Sequence, residues 1–101
     1  MRMLAYLVAI LASLSCAAAH AETVCINPKD DPPGPDTTVA CYSDAGCKVA
    51  ESFGAEPIRD YDAESAPFAL ARGKISAIIT TAKDVIKIAE ANGAECHPQK
   101  P

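Results

Sequence analysis

The chain contains no tryptophan, and aromatic residues of every kind make up only 5% of its 101 residues. Histidine is nearly as scarce, with His20 and His97 the two present. Cysteines never fall in a C-x-x-C pair, the close spacing that redox dithiols and structural zinc sites use, and C-x-x-C-H, the haem attachment pattern, is absent too. Arg72-Gly73-Lys74-Ile75 lacks both the earlier glycine and the Ser/Thr after lysine that a phosphate loop needs. An excess of positive charge is also missing. Nine Lys and Arg stand against thirteen Asp and Glu, a formal charge of −4, whereas nucleic acid and anionic membranes reward basic patches. No apolar run reaches the roughly 18 residues that a membrane-spanning helix requires.

What is present begins with an export signal. Met1-Arg2-Met3 supplies one positive charge, Leu4 to Leu14 an apolar stretch, and Ala19-His20-Ala21 a small-x-small cleavage site before Glu22. A lipid anchor on Cys16 would want leucine where Ser13 stands. Residues 1–21 are therefore read as a cleaved secretory signal. The mature chain, 22–101, is expected to be a single small domain with no membrane span and a formal charge of −5 once Arg2 is lost.

That mature chain holds 14 Leu, Ile, Val and Phe residues, a thin core at a size where burial alone is marginal. Cysteine supplies the remainder. Cleavage discards Cys16 and leaves Cys25, Cys41, Cys47 and Cys96, an even set in an exported chain, which reads as two disulfides. A metal site built on these thiolates with His97 would need adjacent Cys96 and His97 to share one ion, so no metal and no cofactor is expected.

Along the mature chain, Thr23-Val24-Cys25-Ile26 is a short strand candidate. The stretch 27–36 carries four prolines and a glycine and is an exposed loop. Thr37 to Tyr42 is β-branched and apolar, a second strand, and Ser43-Asp44 then caps a helix from Ala45 to Phe53 closed by Gly54. Pro57 to Tyr61 follows as a strand. A helix capped by Ser65, with Pro67 in its first turn, runs to Arg72 and ends at Gly73. From Lys74 to Asn92 two readings compete. Ile75, Ile78, Ile79, Ala82, Val85, Ile86 and Ala89 recur at helical spacing, which permits one long helix. Ile75 to Thr81 is equally strand-forming, with Thr81 and Asp84 as a capping pair for a fresh helix. Strand then helix is the reading adopted, because Gly73 in mid-helix would cost about 1 kcal/mol. Alternating strands and helices predict a small α/β layer of mostly parallel strands; an all-α hairpin stapled by disulfides is the alternative.

The fold bears on the disulfides. In the α/β reading Cys47 opens a helix at the edge where parallel strands end, and Cys96 follows the last helix at the opposite edge. A helix of about ten residues spans about 15 Å, while disulfide Cα atoms lie within about 7 Å. The expected pairs are Cys25–Cys96 and Cys41–Cys47; a 47–96 link belongs to the helical hairpin.

Two local resemblances bear on function. Val39-Ala40-Cys41-Tyr42-Ser43-Asp44-Ala45-Gly46-Cys47 resembles the strand–turn–helix start of a glutaredoxin, which implies Cys47 as a redox thiolate with its pKa lowered at a helix N-terminus. Ala69 to Thr80 resembles the helix–glycine–strand step in lobes of periplasmic solute-binding proteins, which implies an α/β fold. Asp60-x-Asp62-x-Glu64 invites a calcium-loop reading, but Ser65 and Ala71 stand where glycine and a bidentate Glu are needed. A solvated acidic turn supporting the next helix is the better account.

Nothing here spells catalysis: His97 sits in a Pro-containing tail expected to be mobile, and no sequence pattern pairs two carboxylates in a buried site. The expected function is that of a small non-enzymatic binding or accessory protein of the periplasm or extracellular space, recognising a protein or envelope component. A thiol-redox protein using Cys47 and a structural envelope protein are the alternatives. Mass spectrometry of the exported protein should find Glu22 as the mature N-terminus; a lipid-modified Cys16 there would overturn the soluble reading and make the protein membrane-anchored.

Overall fold

In a computed structural model of the chain, residues 22–99 are described; the secretory signal expected over 1–21 lies outside them. Five strands and three helices follow in the order β1 (Thr23–Ile26), β2 (Thr38–Cys41), α1 (Asp44–Ser52), β3 (Glu56–Ile58), α2 (Ala66–Ala71), β4 (Ala77–Thr80), α3 (Lys83–Ala91) and β5 (Glu95–Pro98). They form one α/β layer around a single sheet of order β3-β2-β4-β1-β5. The pairs β2–β3 and β2–β4 are parallel, and β1 runs antiparallel to both β4 and β5.

Period-two alternation explains the burial. Val24, Val39, Cys41, Ala77 and Ile79 gather on one face with Cys47 and Ala50 of α1. Cys25, Ala40 and Ile78 gather on the other with Ala66, Ala69 and Leu70 of α2 and Val85 and Ala89 of α3. Central β4 is therefore buried along its whole length, which is why Ile75–Thr81 carries the apolar density that also fits a helix. Two features settle it as a strand. Gly73 takes φ 76°, a left-handed conformation that ends α2 and that a β-carbon would strain. The chain then turns, and Ser76 N–H donates to Thr38 O across to β2 at 2.8 Å.

The helix caps differ from expectation in two places. Ser65 stands at the cap position of α2, but its hydroxyl donates to Asp62 Oδ2 at 2.8 Å instead of capping the helix. The cap position of α3 is Ala82, not Thr81, and Ala82 N–H donates to Thr80 Oγ1 at 3.0 Å. The Pro-rich segment 27–36 makes tight turns: Asp30 N–H donates to Asn27 O, and Thr37 N–H to Gly34 O. Asn27 Nδ2 also donates to Leu70 O at 3.3 Å, tying the loop to the end of α2.

Strand β5 was not legible from sequence. Glu95, His97 and Pro98 are exposed and show no apolar alternation, so the segment reads as tail. His97 is held in β5 opposite Val24, and the pairing continues as Gln99 N–H donates to Glu22 O at 2.7 Å. Covalent attachment explains the order. Cys96 sits directly opposite Cys25 in the sheet, and the two are disulfide-bonded with Cα atoms 4.0 Å apart. Cys96 thus lies partway along β5, the outer strand of the sheet, and not at the end where parallel strands begin. The second disulfide joins Cys41 to Cys47, Cα atoms 5.2 Å apart.

Ile78 is fully buried between β1 and β2 and under both α2 and α3. Replacing it with alanine should destabilise the fold by about 2–5 kcal/mol, read from the denaturant midpoint. A loss under about 1 kcal/mol would contradict its placement at the centre of the core.

Candidate functional site

Strand order reverses at β2. The chain leaves β2 through α1 to reach β3 on one side, then returns through α2 on the opposite face to reach β4 on the other. In open α/β sheets such a switch point opens a crevice outside the carboxyl ends of the strands. Cys41-Tyr42-Ser43 and Thr80-Thr81 leave the sheet there. Because β1 is antiparallel, its opening residue joins the same edge, with Thr23 opposite Thr80 and Glu22 just before it.

The turn into α1 is built by short-range chemistry. Ser43 is extended at φ −149°, ψ 163°, and its Oγ accepts from Gly46 N–H at 2.9 Å. The same hydroxyl donates to Glu22 Oε2 at 3.0 Å. Glu22 thus lays a carboxylate against the positive end of α1, where helix geometry favours an anion. Gly46 makes room for it: a β-carbon at 46 would stand 3.0 Å from Glu22 Oε1 and 3.2 Å from Ile79 Cγ2. The Cys41–Cys47 bond clamps the end of β2 to the first turn of this helix. Asp44 pairs with Arg59 across the exit of β3, an exposed ion pair of little energetic weight.

Tyr42 lies beside this turn. Its ring packs against the α2–α3 side of the core, and its hydroxyl is buried without a hydrogen-bond partner. Burial pushes its pKa above the ordinary 10.0, helped by the negative charge of Asp62 and then by Tyr61. Neither Glu22 nor Tyr42 was singled out from sequence. Glu22 marked only a cleavage boundary, and its contact with Ser43 depends on β1 running antiparallel at the far side of β4.

The residues expected to carry chemistry are dispersed or locked. Cys47, the position of the glutaredoxin-like thiolate, is bonded to Cys41; the two are 4% and 0% exposed. His97 shares a row across the sheet with Val24, Ile79 and Cys41. That row sets it three strand spacings, about 14 Å, from the end of β2, so it is no base for Ser43. Asp62 of the acidic turn accepts from Ser65 N–H and Oγ. Among the described residues no three of His, Cys, Asp and Glu converge as a metal site. No helix among them is long and apolar enough to cross a membrane.

No family model and no curated protein matches the chain. Among solved structures it is similar to an ancestral arginine-binding protein bound to glutamine, at 13% identity and a TM-score of 0.54, and to one bound to arginine, at 15% and 0.53. Each match covers 80% of this chain but 43% of the other, so the chain spans less than half the length of these proteins. What is shared is the fold, a mixed α/β sheet with helices packed on both faces.

The raised Tyr42 pKa has a definite sign. The folded state holds the phenol proton at pH values where the unfolded chain has lost it. Stability is therefore unaffected by this group below pH 10.0 and falls as pH rises above it. Tyr42→Phe should leave stability at pH 7 unchanged or raised by up to about 1 kcal/mol, since it removes an unpaired buried hydroxyl. It should also flatten the decline in urea midpoint as pH rises above 10.0, where the folded state keeps a phenol proton that the unfolded chain has lost. An unchanged decline would refute this account of Tyr42.

Proposed function

We propose that the mature chain is an exported, non-enzymatic binding module that recognises a protein or envelope component outside the cytoplasm. The observation that carries this reading is the carboxyl edge of the sheet: a switch point formed by Ser43, Thr80 and Thr81, pinned by the buried Cys41–Cys47 bond. The arrangement is rigid and polar, suited to holding a partner. Two disulfides suit an oxidising compartment and support the export reading. The arginine-binding proteins of similar fold add weight to a binding role.

The thiol-redox alternative needs a sulfur that a thiolate can reach. Both sulfurs of the α1 clamp belong to buried residues, which favours binding over redox chemistry. Native mature protein without reductant should resist alkylation at neutral pH and should retain a specific partner when immobilised in an extract of its native extracytoplasmic compartment. Rapid labelling of Cys47 would transfer the assignment to redox chemistry. A rise in Tm with free arginine or glutamine, and no retained partner, would replace the macromolecular reading with a small-ligand one.

A further inference from the structure

A second surface lies away from the carboxyl crevice, along the outer side of α2. Ala66, Ala69 and Leu70 turn inward to the core, leaving Phe68 45% exposed in water. Beside it runs an open groove of about 390 Å³ lined by Tyr61, Glu64, Ser65, Phe68, Ala69, Arg72 and Lys74. Its aromatic and alanine walls end in Arg72 and Lys74, and neither cation has a carboxylate within 4.0 Å among the described residues. The Asp30 carboxylate stands against Gly73, 3.3 Å from where a β-carbon would be, yet forms no ion pair with Arg72 or Lys74. Glu64 stands two residues before the helix, on the other side of Phe68 in sequence. In a chain where acidic residues outnumber basic ones, the groove's lining holds two cations, Arg72 and Lys74, against one carboxylate, Glu64, beside an exposed phenylalanine.

We infer that this groove docks a peptide segment of the partner in which apolar side chains precede a pair of carboxylates. The apolar part covers Phe68 and Tyr61, the carboxylates meet Arg72 and Lys74, and Glu64 disfavours the reversed orientation. Guanidinium favours a carboxylate through paired N–H donors, and the exposed aromatic face gains from losing water. The inference rests on the protein-binding reading above and adds to it a location and a ligand chemistry.

The test is an amide NMR titration of the disulfide-intact mature protein with the capped peptide Ac-Leu-Leu-Asp-Asp-NH2 and its Lys-Lys counterpart. Saturable shifts should cluster over residues 61–74, with the acidic peptide bound at least about tenfold tighter, a difference of about 1.4 kcal/mol. The double variant Arg72→Glu, Lys74→Glu should reverse that preference, and Phe68→Ser should weaken both peptides. Both changes fall on exposed side chains, and retained amide dispersion verifies folding. Equal affinity for the two peptides, absence of saturable shifts, or shifts confined to Ser43–Gly46 and Thr80–Lys83 would overturn the inference. Partner capture separates the two levels: retention by wild type and double variant alike defeats the groove and leaves the binding reading standing, whereas failure of wild type to retain any partner defeats that reading itself.

Discussion

Residues 22–99 hold few large apolar side chains, and the first and last strands of their five-stranded sheet are joined covalently into one unit. The Cys25–Cys96 bond spans 71 residues and joins directly opposed positions on β1 and β5. By loop-closure entropy, a link of that separation disfavours the unfolded chain by about 4 kcal/mol, and one spanning six residues, like Cys41–Cys47, by about 2 kcal/mol. The longer bond does more than add stability. It supplies an ordered neighbour for β1, which lets β1 lie antiparallel beside β4 and cover its free side. With β2 on the other flank, Ile78 and Ile79 are shut away on both faces.

The consequences run to the carboxyl edge. An antiparallel β1 brings Glu22 to the end where β2 and β4 finish, and there its carboxylate meets Ser43 and the start of α1. The short disulfide fixes that helix start from the other side. Three constraints of different kinds therefore converge on one turn: a covalent clamp, a helix cap and a charge–dipole contact. Such a turn has little freedom to rearrange, which suits recognition better than chemistry requiring an exposed, exchangeable sulfur.

Much of the fold was legible in the sequence wherever a local signal agreed with the sheet. Val39–Cys41 before Ser43-Asp44, and Gly73 before the isoleucine-rich segment, announce strand–helix and helix–strand steps through β-branching, capping oxygens and a left-handed glycine. The α/β class followed from their alternation. Local signal was missing where order comes from a distant partner. Glu95–Pro98 has no apolar alternation and is a strand because Cys96 is tethered to Cys25 and the backbone pairs with β1. Mostly parallel pairing was the natural reading of alternating elements, yet β1, whose link to β2 contains no helix, enters antiparallel and makes the sheet mixed. Half of the candidate site was hidden for the same reason. Ser43 declares itself as a cap, whereas Glu22 and the partnerless Tyr42 hydroxyl acquire meaning only from the packing.

The two helices that frame the sheet's switch point present different surfaces, and the difference follows from their lengths. Helix α1 has nine residues and a capped first turn clamped by a disulfide, so its polar start is already engaged by the chain itself. Helix α2 has six residues, opens on Ala66-Pro67, and spends its small side chains on the core. With so short a helix, the one large side chain that cannot turn inward, Phe68, has no neighbouring turn to cover it, and the cations that follow at 72 and 74 lie beyond the reach of the acidic turn that precedes it. The outer side of this short helix is therefore left with Phe68 beside Arg72 and Lys74, uncovered by any other element among the described residues.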